Sequence, residues 1–297
     1  MRIREARPDD AAAVVALRAI VHPYLVRGVE STRKMIAEPP HGGWAAFVAE
    51  VDGQVVGWTS AEPNTSTSME GFGDVSTLHV HPDHRRRGIG TALLTAATDH
   101  LRPLGVRRVR TMATADSLPF ASRHGFTPSR EVRYSALDLT PPPALPEPPP
   151  GVRLRPIAEL DPHLLYAADV ASAVDEPGDV PVDAVTFESW RYDVWDNVGL
   201  DKFASTAAEV DGDVGAFSLV KRDGDRMWSD YTCSVPAYRG RGLARLAKTA
   251  ALDRAAADGV RIAYTSNDES NAPMLAINAR LGYRPVTTLW ACLADLT

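Results

Sequence analysis

Leu78-His-Val-His-Pro-Asp-His-Arg85-Arg-Arg-Gly88-Ile-Gly90-Thr91 reads as an extended run, a proline, arginines, and then closely spaced glycines that open a helix. The phrase returns as Thr232-Cys-Ser-Val-Pro-Ala-Tyr-Arg239-Gly-Arg-Gly242-Leu-Ala244. Both copies fit R-x-x-G-x-[GA]. Glycine permits φ > 0 and lets a ligand reach the backbone without meeting a Cβ. A helix that starts there points unpaired N–H groups, and the positive end of its dipole, at an anion. Arg85, Arg86 and Arg87 in the first copy, and Arg239 and Arg241 in the second, add cationic donors beside the same spot. A Gly-rich turn before a helix is often only a tight connection. The repetition is what gives the pattern weight as a pyrophosphate loop.

The repeat extends well beyond the glycines. Arg2-Ile-Arg4 matches Arg153-Leu-Arg155, and Ala49-Glu-Val-Asp-Gly53 matches Ala208-Glu-Val-Asp-Gly212, a D-G turn between two strands. Gly105-Val106 and Thr111 match Gly259-Val260 and Thr265, and His124-Gly-Phe-Thr-Pro128 matches Leu281-Gly-Tyr-Arg-Pro285. Landmarks in one order indicate duplication of a whole domain. Between the copies lies Pro141-Pro-Pro-Ala-Leu-Pro-Glu-Pro-Pro-Pro150. Proline fixes φ and lacks the ladder N–H, so this stretch is expected to run extended over roughly 30 Å as a spacer. The organisation expected is a first domain over 1–140, a linker over 141–150 and a second domain over 151–297.

Each half is expected to run strand, helices, strands, loop helix, strand, helix and closing strand. Ala45–Val51 and Gln54–Ser60 form a hairpin, Val75–Val80 feeds the first loop, and Ile89, Leu93, Ala97 and Leu101 share one face of the following helix. Each half is therefore an α/β (α+β) domain. The 297 residues suit two such domains. The N-terminus has no signal-peptide pattern and no apolar run is long enough to span a bilayer. Cys233 and Cys292 are too few for a secreted disulfide framework. A cytoplasmic protein without a membrane partner is expected. The net charge of −6 argues against nucleic acid.

The two loops, each between a strand and a helix, resemble the acetyl-CoA pyrophosphate loop of the GNAT superfamily of N-acetyltransferases. Ser117–Phe126 and Asn271–Tyr283 resemble that family's later helix-turn motif. The resemblance covers nearly the whole chain as two tandem domains, and it implies a mixed, mostly antiparallel sheet flanked by helices in each. It further implies acetyl-CoA as co-substrate and direct transfer to a primary amine of a small molecule within one ternary complex. On these positions, Leu78, His79 and Val80, and Thr232, Cys233 and Ser234, would pair with the pantetheine arm. Arg85, Arg86, Arg87, Gly88, Ile89, Gly90 and Thr91, and Arg239, Gly240, Arg241, Gly242, Leu243 and Ala244, would hold the pyrophosphate.

The sequence departs from the family where a downstream tyrosine commonly protonates the leaving thiolate. That position is Ala121 in the first half and Asn278 in the second, and neither is a competent acid. An asparagine common seven residues earlier is present as Asn271 but replaced by Thr114. The second half is therefore expected to be catalytic, with Asp230 as base, Tyr231 and Asn278 as further catalytic candidates, and Asn271 on the cofactor. Asp175 and Glu176 lie where the family lines its acceptor site. Each has a plainer reading: Asp230, Asp175 and Glu176 as solvated charges, Tyr231 as a packed strand aromatic.

His79, His81 and His84 lack the Cys or carboxylates that would complete a tetrahedral set, so no metal is expected. Cys233 reads as a small buried residue. Trp190, Trp195 and Trp228 read as core, or in part as acceptor-pocket wall. The tandem arrangement also resembles the mycothiol synthases of actinobacteria, which acetylate a cysteinyl amine on a sugar-inositol. A non-catalytic acetyl-CoA-binding protein is the remaining alternative. The sequence leaves monomer and homodimer open.

Overall fold

The computed structural model describes residues 1–296. Two compact units emerge: Met1–Val132 with the residues from Thr288 onward, and Arg133–Thr287. Through the first half of the chain run β1 (Arg2–Glu5), α1 (Ala11–Val21), α2 (Val29–Ala37), β2 (Ala45–Val51), β3 (Gln54–Pro63), β4 (Phe72–Val80), α3 (Ile89–Leu101), β5 (Arg108–Thr114), α4 (Leu118–Arg123) and β6 (Thr127–Asp138). The second half repeats the order as β7 (Val152–Pro156), α5 (Pro162–Ala173), α6 (Phe187–Trp190), β8 (Thr206–Val210), β9 (Asp213–Asp223), β10 (Arg226–Ser234), α7 (Leu243–Ala257), β11 (Ile262–Asp268), α8 (Ala272–Leu281) and β12 (Arg284–Asp295). The expected α/β class with mixed, largely antiparallel pairing is what forms.

Both D-G turns form as expected. Asp52 and Gly53 take φ of 50° and 79°, Asp211 and Gly212 take 53° and 97°, and the flanking strands pair from Val51↔Gln54 and Val210↔Asp213. Two successive positive φ values give the primed turn whose twist suits a tight hairpin. In the first unit α3 lays Leu94, Ala97 and Leu101 against Val75, Val109 and Ala113. In the second, Ala251, Leu252 and Ala255 of α7 pack on Val220, Met227 and Ala263. Burying such side chains contributes roughly 1.5–3 kcal/mol for each large one.

The closing strands are exchanged relative to the sequence halves. In β12, Leu289–Asp295 pairs antiparallel with Thr114–Arg108 of β5, so the last strand of the chain completes the first unit's sheet. The later part of β6 belongs to the second unit, where β6 is the neighbour of β11 and Leu139 N–H donates to Arg261 C=O at 2.8 Å. As a result the Pro-rich stretch falls within the second unit's span. Residues 142–149 take neither helix nor strand. Both closing strands are twelve residues long and share nearly the same burial pattern, exposed over the first residues and buried toward the end, so nothing in their local pattern specifies which β5-like edge each should cover.

Candidate active site

In both units the same three-residue parallel pairing precedes a parting of strands. β4 meets β5 over Phe72–Asp74 with Arg108–Arg110, and β10 meets β11 over Arg226–Trp228 with Ile262–Tyr264. Among the described residues the parallel pairing ends there, while all four strands continue. A bulge sits just beyond: Thr77 and Leu78 oppose one residue of β3, and Asp230 and Tyr231 oppose one of β9. A bulge leaves a backbone group unpaired and re-aims the strand. Leu78, His79 and Val80, and Thr232, Cys233 and Ser234, lie at or just beyond these bulges, at the ends of β4 and β10.

The glycine loops follow. Gly88 and Gly242 are left-handed helix N-caps, at φ of 80° and 74°, with no side-chain cap. The residue two before each is also at positive φ, Arg86 at 62° and Gly240 at 77°. The alternation makes a concave nest of backbone N–H groups suited to phosphate oxygens. A Cβ built on Gly88 or Gly242 meets nothing within 4 Å, so the space before each helix is open to a ligand. The helices begin at Ile89 and Leu243, both buried, while Arg86, Arg87, Arg241 and Gly240 are exposed at the mouth. Gly90 packs its backbone toward Phe120, Thr91 bonds His124 at 3.1 Å, and Ala244 takes the place of Gly90 in the second copy.

Several of the expected ligands also hold protein partners. Arg85 Nε donates to Val80 C=O at 3.2 Å, and Arg239 Nε donates to Ser234 C=O at 3.3 Å. Each arginine thus ties its loop to the preceding strand. Arg239 also pairs with Asp175, which draws that carboxylate to the loop. Arg241 lies over the Tyr238 ring at 5.7 Å. Asn271 caps α8 by accepting from Met274 N–H at 3.2 Å, and Thr114 and Ser117 make a capping box at the corresponding place in the first unit. Asp230 is ion-paired with Lys221 at 2.8 Å. Asn278 is 4 % exposed and its Nδ2 donates to Asn267 Oδ1 at 2.5 Å.

On the α5 side of the second bulge the structure gathers groups that the sequence left scattered. Tyr231 and Cys233 face a cluster that includes Trp190, Phe217 and Leu165. Asp169 of α5 stands among them and accepts from Trp190 Nε1 at 2.6 Å. Burial first, then the neighbouring Glu176 and Asp230 charges, push the Asp169 carboxyl up to about 6 against the opposing Trp190 hydrogen bond. Burial likewise drives the Tyr231 hydroxyl well above its usual range, with Glu176 within hydrogen-bond reach. The Cys233 thiol is also pushed above its usual range by burial and lies beside Ser172, which suits packing rather than nucleophilic attack. Asp169 escaped the sequence reading because one acid on an amphipathic helix looks solvated; only comparison of the halves marks it, since the eighth residue of α1 is Arg18 and that of α5 is Asp169.

The first unit is the opposite in charge. His22 and His79 approach at 6.1 Å between ring centroids, and burial lowers them to about 4 and about 3. Both are neutral near pH 7, leaving as nearby charges the guanidiniums of Arg18, which donates to Arg27 C=O at 2.8 Å, and of Arg85. Among the described residues no three His, Cys, Asp or Glu side chains are grouped to hold a metal, and no helix is long and apolar enough to cross a membrane.

Comparison with known proteins places this geometry. The acetyltransferase (GNAT) family model matches twice, over residues 15–126 and 176–283. The mycothiol acetyltransferase of Amycolatopsis mediterranei is 31 % identical over 259 residues, covering 81 % of each chain. That of Thermobispora bispora is 27 % identical over 296 residues, covering 95 % of each. Among solved structures, a tandem GNAT protein from the clavulanic acid biosynthesis pathway aligns with a TM-score of 0.74 at 21 % identity, covering 99 % of this chain and 98 % of that one. A GCN5-related N-acetyltransferase from Sphaerobacter thermophilus gives the same TM-score and identity, covering 99 % and 95 %. The chain belongs to the GNAT acetyltransferase family and carries two tandem GNAT regions.

Proposed function

We propose that this acetyltransferase takes acetyl-CoA in its second unit and transfers the acetyl group to the cysteinyl amine of the mycothiol precursor. The observation that carries the reading is the near full-length match to mycothiol acetyltransferases, against which the chain covers most of both sequences. This favours the narrower substrate over an unspecified small-molecule amine. The same relatives make a cytoplasmic setting the natural one.

Charge around the two bulges supports the second unit as the working site. An ammonium acceptor is drawn to Asp169 and Glu176 and repelled by Arg18 at the corresponding place in the first unit. The Gly240–Ala244 nest would hold the pyrophosphate, and the backbone at the Asp230–Tyr231 bulge would polarise the thioester carbonyl. Asp169 is better placed than Asp230 to receive the amine's proton, because Lys221 already occupies the Asp230 carboxylate. Trp190 fixes the orientation of Asp169 through its indole N–H.

The test is acetyl transfer to the cysteinyl amine of the sugar-inositol conjugate, followed by release of the CoA thiol, with free cysteine and a simple amino sugar as controls. Robust transfer to the conjugate alone is expected, with kcat/KM rising with pH through about 6 as Asp169 ionises. Asp169→Asn should lower kcat/KM by about 10²-fold, the scale of a lost general base, and remove that rise. Equal rates on the controls would return the reading to a general amine acetyltransferase. Binding of acetyl-CoA without turnover on any amine would favour a binding protein.

A further inference from the structure

Beneath the parting of β10 and β11, on the side covered by α7 and α8, the second unit is polar where the first is apolar. The landmarks of the repeat pair Val75 with Ser229, Leu94 with Lys248, Ala113 with Asn267, Ala121 with Asn278, and Phe126 with Tyr283. The first-unit residues all belong to one apolar cluster. Ser229, Lys248, Asn278 and Tyr283 are equally buried, at 3 %, 1 %, 4 % and 6 % exposed. Ser229 Oγ, Asn278 Oδ1 and the Tyr283 hydroxyl have no hydrogen-bond partner. The Ser229 and Tyr283 hydroxyls are close enough to influence one another, yet without a well-formed bond. Lys248 Nζ lies 5.0 Å from the Tyr283 ring centroid.

Such a set is unfavourable for a core whose only task is to be filled. An unsatisfied buried hydroxyl or amide costs about 1–3 kcal/mol, and a buried amine without an anion costs more. The same chain contains the apolar alternative in the same framework, so packing does not demand the polar one. The buried polar set also includes Asn278, the residue at which the family resemblance places the acid for the leaving thiolate. An amide has no proton to give at that point.

We propose that Lys248 is the proton source for the leaving thiolate, delivering through the Tyr283 and Ser229 hydroxyls in place of the missing tyrosine. The inference rests on the second unit being the working site. In the transfer step the acceptor nitrogen forms its bond to the carbonyl carbon, and the C–S bond breaks with its electron pair left on sulfur. The Lys248 ammonium releases one proton into the hydroxyl relay, and the relay passes one to the sulfur, giving the free thiol. The proton shed by the acceptor amine leaves by way of Asp169, and Lys248 regains its own from solvent as products depart. Burial alone, with no carboxylate or second cation contributing, lowers the Lys248 ammonium to about 7. An acid near the working pH is the effective kind. Tyr283 is the titratable group in contact with it, itself raised above its usual range by burial.

The experiment follows CoA thiol release by the full chain against pH, with the cysteinyl amine as acceptor and with water alone. Lys248→Met keeps the length and removes the proton, while Tyr283→Phe interrupts the relay. Gly242→Glu and Gly88→Glu report which unit turns over. The parent's kcat should fall above pH about 7 as Lys248 loses its proton. Lys248→Met should lose about 10²-fold in kcat with the KM for acetyl-CoA unchanged, and should no longer show that alkaline fall. Tyr283→Phe should lose rate while keeping affinity. Full kcat, or an unaltered alkaline limb, in Lys248→Met would overturn the assignment of Lys248. Turnover that survives Gly242→Glu but not Gly88→Glu would instead sink the second-unit reading, and this proposal with it.

Discussion

Lys248→Leu is expected to stabilise the chain by about 4 kcal/mol at pH 7, from 1.36 kcal/mol for each pKa unit of the burial shift. The sign follows from proton binding. Burial lowers the folded-state amine from 10.5 to about 7, so between those values the unfolded chain binds more protons and stability rises with pH. The penalty carried by the parent is therefore full below pH 7 and fades as pH climbs to 10.5. Leucine escapes it at every pH and reproduces the residue that the first unit uses at Leu94. Urea unfolding of parent and variant at several pH values between 6 and 10.5 measures this directly. A gain that shrinks steadily with pH is the expected result. A constant gain would mean that packing alone is responsible, and a loss would mean that the amine has a partner in the native state. Stability won together with activity lost is what a residue kept for chemistry should give.

Gly242→Glu should weaken acetyl-CoA binding in the second unit by more than about 100-fold. A carboxylate brought to the nest meets the pyrophosphate as a like charge where N–H groups should meet it. An L residue at φ of 74° adds roughly 1 kcal/mol of strain. Because a Cβ there touches nothing within 4 Å, the fold should persist, which circular dichroism and a melting curve would verify. Calorimetric titration of acetyl-CoA into parent, Gly242→Glu and Gly88→Glu gives the assignment. Loss confined to Gly242→Glu supports the second unit, loss confined to Gly88→Glu reverses it, and partial loss in each means two filled sites.

The glycine loops, the D-G hairpins and the family were legible because each depends on a backbone conformation that few residue types adopt. Gly88, Gly242, Asp52-Gly53 and Asp211-Gly212 leave marks that survive without any knowledge of tertiary contacts. The acceptor side was not legible in that way. Asp169 acquires its character from Trp190, twenty-one residues away, and from burial that the helix pattern does not reveal. Asn271 shows how one residue can fit both a ligand motif and a helix cap, and the structure shows the cap. Asp175 and Arg239 were read as serving different ligands, yet they pair with one another. Lys248 is not legible either, since a helix of alanines and arginines hides one inward-facing lysine.

The exchange of closing strands has a consequence during synthesis. A ribosome delivers β5 long before β12, the strand that will cover its edge. Until translation is nearly finished, the first unit exposes a row of unpaired strand groups of the kind that captures other chains. The N-terminal half alone therefore lacks the strand that covers β5 in the folded chain, although its sequence reads as a whole domain. A nonsense codon anywhere in the second half would release a fragment missing the last strand of the first unit as well as the end of the second.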